Sequence, residues 1–322
     1  MCAIIVRVIL CFFIFGFGYG IKMKGCLFMG FLSNLINGIS LGSIYAVIAL
    51  GYTMVYGIAK MLNFAHGDVI MIGGYFVYLA SSKLLQLPAA ISVLIAMVAC
   101  TILGITIEKI AYKPLRKATS LAVLITAIGV SYFLQNIALV IFGANPVTFT
   151  SVVSIPAIKL FDGQIVISGE TSVAIVVSIL VVIGLSLFIK KTKTGKAMLA
   201  VSEDKGAAQL MGINVNRTIS ITFAIGSALA AIAGALYCSA YPILQNTTGA
   251  MPGIKAFTAA VFGGIGSIPG AMIGGILIGI IEILGRAYIS TQLADAIVFA
   301  VLILILMFKP TGILGKKMVE KV

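Results

Sequence analysis

The sequence predicts an all-α polytopic membrane protein with about eight transmembrane segments and a glycine-broken re-entrant or hairpin element near 253–285. Three observations carry this expectation. Of 322 residues, 61% are hydrophobic and only 10% charged, whereas soluble domains carry roughly 25% charged residues. The mean hydropathy of +1.19 comes from long apolar blocks of about the 20 residues that cross a bilayer. The net charge of +13 sits in a few loops between those blocks, which is how an inner-membrane protein orients itself and not how a nucleic-acid-binding face looks. Together they exclude a cytosolic enzyme, a secreted disulfide scaffold and a disordered chain.

The blocks lie near 31–57, 64–82, 88–108, 119–142, 171–190, 217–240, 253–285 and 294–309. The seventh is too long for one plain helix and contains Gly263-Gly264-Ile265-Gly266-Ser267-Ile268-Pro269-Gly270, a run that cannot hold a regular helix. It is read as two shorter pieces entering and leaving by one face. Lys109, Lys113, Arg116 and Lys117 follow the third block. Lys190, Lys191, Lys193, Lys196, Lys205 and Arg217 follow the fifth, and Lys309, Lys316, Lys317 and Lys321 end the chain. All are expected on the cytoplasmic side. The loop near 143–170, with Lys159 against Asp162 and Glu170, is expected outside. A hairpin in the seventh block puts every basic cluster inside, with the N-terminus out and the C-terminus in.

Residues 1–30 form an N-terminal extension ahead of a transmembrane domain over 31–322. A real span at 1–21 would leave Lys22 and Lys24 in an outward loop, so 1–22 is read as a start-site artefact, with translation beginning at Met23 or Met29. The five cysteines, Cys2, Cys11, Cys26, Cys100 and Cys238, include no pair at metal-ligand spacing and read as small hydrophobes. The short match between Thr126-Ala127-Ile128-Gly129 and Phe223-Ala224-Ile225-Gly226 hints at two related halves.

The residues for catalysis are missing, so no catalytic, metal or cofactor site is expected. His66 is the sole histidine, Thr194-Gly195-Lys196 lacks the rest of a phosphate loop, and Ser267 lacks the setting of an activated serine. Glu108 lies at an inner end beside Lys109. Glu282 precedes Arg286 by four residues, the favourable order for a helical ion pair, although an intramembrane carboxylate also suits a pathway lining. In the cytoplasmic loop 190–217, Ser202 is expected to cap a short helix ending at Gly212. That helix would present Ala207, Ala208, Leu210 and Met211 at the membrane surface, either as a solvated connector or as a surface for a partner's groove.

That loop resembles the glutamate-alanine-alanine coupling loop of ABC importer permeases. Asn37–Ala46, Gly51–Gly57 and Leu62–Asp68 resemble the first third of branched-chain amino-acid permeases, as do Lys255–Val261, Gly263–Gly275 and Pro310–Gly315 farther on. The resemblance is to the Liv-type H subunits and runs from about Asn34 to the C-terminus. Asp68 stands where that family often has Glu, and Lys205-Gly206 replaces better helix formers, so the coupling helix is expected to start late.

The resemblance implies a permease subunit in the bacterial inner membrane that translocates branched-chain amino acids (Leu, Ile or Val). It implies a second homologous permease subunit, two cytoplasmic ABC ATPases that hydrolyse ATP in trans, an extracytoplasmic binding protein and no nucleic acid. Glu203, Asp204, Ala207, Ala208, Leu210 and Gly212 would couple to the ATPases. Asn63, His66, Asp68, Gly264, Gly266, Ser267 and Glu282 would mark the translocation path. Each has a plainer reading beside it. Asn63 caps a helix from Phe64, Asp68 neutralises the positive end of that helix, His66 is a hydrogen-bonded interior residue, and the glycines allow close packing. On the functional reading, the helix begins inside the membrane and aims its N-terminus at the substrate carboxylate. Urea or short-chain amides are the nearest alternative cargo, and a secondary transporter the nearest alternative class.

Overall fold

The computed structural model describes residues 21–81, 85–160 and 165–315. Asp162, Lys316, Lys317, Lys321 and residues 1–20 lie outside the described residues. The helices are α1 (Ile21–Ala59), α2 (His66–Ser81), α3 (Ala89–Ile107), α4 (Ser120–Phe142), α5 (Gly169–Lys191), α6 (Lys193–Glu203), α7 (Lys205–Leu210), α8 (Val215–Ala240), α9 (Ala250–Gly263), α10 (Ile268–Tyr288) and α11 (Ala294–Phe308). A π turn, Glu108–Tyr112, continues α3. Two antiparallel ribbons pair Val147–Thr148 with Ile243–Leu244 and Ile158–Leu160 with Ile165–Ile167, small departures from an all-α reading. They tie down loops whose backbone groups no helix satisfies.

Among the described residues, six helices are long and apolar enough to cross a membrane, at Phe28–Ala59, Ala89–Tyr112, Ser120–Phe142, Gly169–Lys191, Val215–Ala240 and Ile268–Tyr288. Six of the expected eight blocks hold such a helix, and the blocks near 64–82 and 294–309 hold shorter ones. The other apolar helices have 16 residues in α2, 14 in α9 and 15 in α11. At about 1.5 Å per residue, each falls short of a hydrocarbon core about 30 Å thick. Helix α1 begins ahead of its predicted block, so the end of the supposed N-terminal extension belongs to the first helix.

Helix α1 is the centre of the bundle: 94% of its most apolar stretch is buried. It packs on α10 through small residues. Gly38 and Gly42 meet the Ile280 and Ile276 backbones, and Gly275 meets Ala46, a four-residue spacing that lets two helices approach closely. Helices α3, α4 and α5 form the perimeter, with 28%, 17% and 22% of their apolar stretches buried. Their exposed Val98, Val140 and Leu180 are the side chains a lipid-facing surface carries. The repeat hinted at by the two four-residue matches has no common environment: Gly226 packs on Gly51 and Val55, while Gly129 meets nothing within 4 Å.

The glycine run makes a hairpin, shorter than the sequence suggests. Helix α9 ends at Gly263, and α10 starts at Ile268 with Pro269 in its first turn and Ser267 as N-cap, its hydroxyl accepting from Gly270 N at 3.2 Å. Proline costs nothing there because the first-turn N–H groups lack helical acceptors anyway. Only Gly264–Ser267 leaves helical geometry. The two helices run antiparallel, with Gly263 against Gly270 and Ala259 against Gly274. The turn lies beside Gly57 near the end of α1. The chain after α11 straps it down through Ile313 N to Phe262 O and Leu314 N to Gly263 O, both 2.9 Å. These bonds take up carbonyls that the end of α9 would leave open.

Gly266 has φ +93°, and a Cβ there would meet only the Gly57 Cα, at 3.9 Å. Gly266→Ala is therefore expected to strain the backbone without a clash, lowering stability by about 1–2 kcal/mol. In a helix interior the same change would stabilise by about 0.5–1 kcal/mol. Thermal unfolding of the purified complex reads the sign, and a stabilised variant contradicts the turn.

Candidate functional site

The expected path residues fall into three places. The first is the start of α2. His66 lies against Gly51 of α1, eight residues before the end of α1 and so about 12 Å into the bundle. Helix α2 thus starts inside the fold, and the α9 start meets it there. A Cβ on Gly67 would stand 2.6 Å from the Gly249 carbonyl oxygen, and one on Gly253 would stand 2.8 Å from the Gly67 Cα. Only glycines on both sides let the two first turns touch. Two helix starts therefore meet at one buried point, where main-chain carbonyls already take the His66, Asp68, Ala250 and Gly253 N–H groups and Pro252 has none.

Asn63 does not cap this helix, as the plainer reading required. The helix starts at His66, not Phe64, and the Asn63 Oδ1 accepts from the Tyr112 hydroxyl at 2.8 Å. The π turn at Glu108–Tyr112 brings the Glu108 and Tyr112 side chains into the interior. Asp68 does sit in the first turn of α2, buried, and accepts from Gln135 Nε2 of α4 at 2.8 Å. His66 is buried beneath an edge-on contact with Tyr52, ring centroids 4.7 Å apart. Its Nε2 has no hydrogen-bond partner among the described residues, while the imidazole also interacts with the Ile48 main chain. Phe257 of α9 covers Tyr52 and Phe64 from the other side. Gln135, Tyr52 and Tyr112 were not legible as site residues, because nothing in their local sequence marks them.

The second place is the turn, where Gly264, Gly266 and Ser267 lie with Gly57 and the strap, away from His66. The third surrounds Glu282, which is fully buried. It accepts from Tyr45 Oη at 3.0 Å and Lys255 Nζ at 2.7 Å, and it also pairs with Arg286. Lys255 Nζ reaches Asp295 Oδ1 of α11 at 2.7 Å as well. The expected Glu282–Arg286 pair is therefore part of a four-charge network of zero formal charge across α9, α10 and α11. Lys255 and Asp295 were missed because they lie 27 and 13 residues from Glu282, beyond helical spacing.

The cytoplasmic loop folds as α6 and α7. Asp204, not Ser202, caps α7: its Oδ1 accepts from Ala207 N at 2.9 Å. Ser202 belongs to α6, where its hydroxyl donates to Leu199 O at 2.7 Å. The helix begins at Lys205, two residues later than a Ser202 cap would start it, as the late start expected. Gly212, at φ +80°, follows its end. Ala208 turns into the chain's own core at 3% exposure, whereas Leu210 and Met211 stand out at 91% and 82%. Ala208 therefore seats the helix and is not presented. Glu203 and Ala207 are exposed. Beneath the loop, Lys205 Nζ donates to Ala59 O at the end of α1 at 2.9 Å. The fully buried Glu108 pairs with Arg116 and accepts from Ser220 Oγ at 2.6 Å.

The family described as the permease component of branched-chain amino acid transport systems matches residues 34–306. The chain is 44% identical to the high-affinity branched-chain amino acid transport system permease protein LivH of Salmonella typhimurium, over 92% of this chain and 99% of that one. It is 44% identical to BraD of Pseudomonas aeruginosa, over 91% and 98%, and 31% identical to a probable LivH of Methanocaldococcus jannaschii, over 87% and 91%. A match over most of the chain, with relatives covered almost end to end, shows that the chain belongs to the permease-component family of branched-chain amino acid transport systems.

Proposed function

We propose that the chain is the permease subunit of an ATP-driven importer that carries leucine, isoleucine and valine across the bacterial inner membrane. The near end-to-end identity with permeases named for branched-chain amino acids carries this reading. It also favours that cargo over urea or short-chain amides. The sequence has no phosphate loop, so ATP would be hydrolysed by two separate cytoplasmic ATPases, with a second homologous permease subunit completing the path and an extracytoplasmic binding protein delivering substrate. ATPase closure would reach the bundle through α6 and α7 as a rigid-body shift between two packed arrangements.

Within this subunit the buried start of α2 is the best-supported point on the path. The positive dipole ends of two helices favour an anionic group beside their touching first turns, and the His66 Nε2 offers a further polar contact. The surrounding Tyr52, Phe64 and Phe257 suit an apolar side chain. Asn63 and Asp68 shape this point through Tyr112 and Gln135. Gly264, Gly266 and Ser267 set the turn, and Glu282 holds the hairpin.

Leu210→Asp tests the coupling surface without disturbing the fold, because the side chain is 91% exposed and surface changes usually cost under about 0.5 kcal/mol. The variant should reach the membrane at the normal level but lose co-purifying ATPases and uptake. Normal uptake with ATPases bound would remove α7 from the coupling role.

A further inference from the structure

A cavity of about 480 Å³ opens between α7 and the start of α8, lined among others by Arg116, Lys205, Gln209, Asn214 and Asn216. Two cations line it, Arg116 and Lys205, and among the described residues Arg116 alone has a carboxylate partner, Glu108. The Arg116 guanidinium is anchored by Glu108 and Asn216, but Glu108 is buried and already shared with Ser220. Lys205 takes part in no ion pair among the described residues and donates only to a main-chain carbonyl. The N-terminal end of the 26-residue α8 adds its positive dipole end, and the Asn214 side chain accepts only the Arg217 N–H there. Partial desolvation, then the neighbouring Arg116 and Lys60 cations, lower the proton affinity of Lys205. An anion in the cavity would relieve that repulsion.

Position decides what the anion belongs to. Lys205 reaches the end of α1, the most enclosed helix of the bundle, and Arg116, just past α3, turns inward to Glu108 and Asn216, whereas lipid headgroups would line the outer faces of α3, α4 and α5. The cavity also adjoins Leu210 and Met211, two large apolar side chains exposed side by side, which a protein surface would cover. We infer that this cavity receives an aspartate or glutamate side chain of the partner ATPase, with Lys205 and Arg116 as its counter-ions beside the apolar tip of α7. The inference rests on the proposed coupling of this loop to an ATPase. The carboxylate would complete an electrostatic clamp and set the register of the docked ATPase, as complementary charge does at other interfaces. The volume holds such a side chain together with part of its flanking backbone.

The test uses the complete transporter in its membrane. A carbodiimide joins an amine to a carboxylate it touches with no spacer, so peptide mapping should find Lys205 amide-linked to an ATPase aspartate or glutamate. Lys205→Gln should weaken ATPase retention at least roughly tenfold and flatten its dependence on salt. Lys205→Glu should abolish retention, and Lys205→Arg should restore it. Unchanged retention in Lys205→Gln at every salt concentration, or no ATPase carboxylate linked to Lys205, overturns the inference. It is equally overturned if Lys205→Gln alters binding of phosphatidylglycerol nanodiscs and leaves the ATPases in place, since the occupant is then a headgroup. Leu210→Asp separates the two levels. If it also leaves the ATPases bound, the coupling reading fails; if it releases them while Lys205→Gln does not, only the cavity assignment fails.

Discussion

Replacing Glu282 with alanine is expected to destabilise the purified complex by about 3–5 kcal/mol, the cost of leaving buried charges without their partner. The carboxylate is fully buried and holds Lys255, Arg286 and the Tyr45 hydroxyl. Its removal strands Lys255, itself 5% exposed, with only the half-exposed Asp295. The same network joins α9, α10 and α11, so the hairpin should loosen as a unit. Thermal or denaturant unfolding reads the loss. A variant that keeps its stability but cannot transport would instead place Glu282 on the pathway.

Gly67→Ala is expected to lower uptake by at least roughly tenfold and stability by about 1–3 kcal/mol, the cost of overpacking a tight contact. The added methyl would press on the Gly249 carbonyl and the Gly253 Cα. Both are backbone atoms and cannot rotate away. The α9 start would have to move off the α2 start, and the convergence of the two helix ends would be lost. Gly129→Ala is the matched control, because its Cβ meets nothing within 4 Å and should leave uptake unchanged. Equal uptake by both variants, measured at equal membrane levels, would show that the contact at Gly67 does not shape the path.

Much of this architecture is legible in the sequence, and what escapes does so for physical reasons. The hairpin announces itself because Gly264 and Gly266 adopt positive φ, which few other residues tolerate. The basic end of the bundle follows from lysine and arginine placement alone, and Ala59, Arg116 and Lys205 do meet there. Hydropathy counts apolar residues but cannot tell at what depth a helix starts, so α2 reads as a whole span although its 16 residues are too few for one. Caps compete locally: Ser202 and Asp204 both suit the role, and only the phase of α6 against the core decides between them. The contacts around His66 and Glu282 join residues far apart in sequence, such as Asp68 with Gln135 and Tyr45 with Glu282. No local pattern encodes those pairs, so the charges were visible but their partners were not.

The central claim is that this subunit moves branched-chain amino acids only when ATPases drive it from the cytoplasmic side. The most direct measurement is leucine uptake into proteoliposomes holding the full complex and its binding protein, with and without ATP inside. Uptake is expected only with ATP and the ATPases present, to be competed by isoleucine and valine, and to disappear in Leu210→Asp. Leucine uptake by this chain in the absence of the ATPases, driven by an ion gradient, would contradict the account.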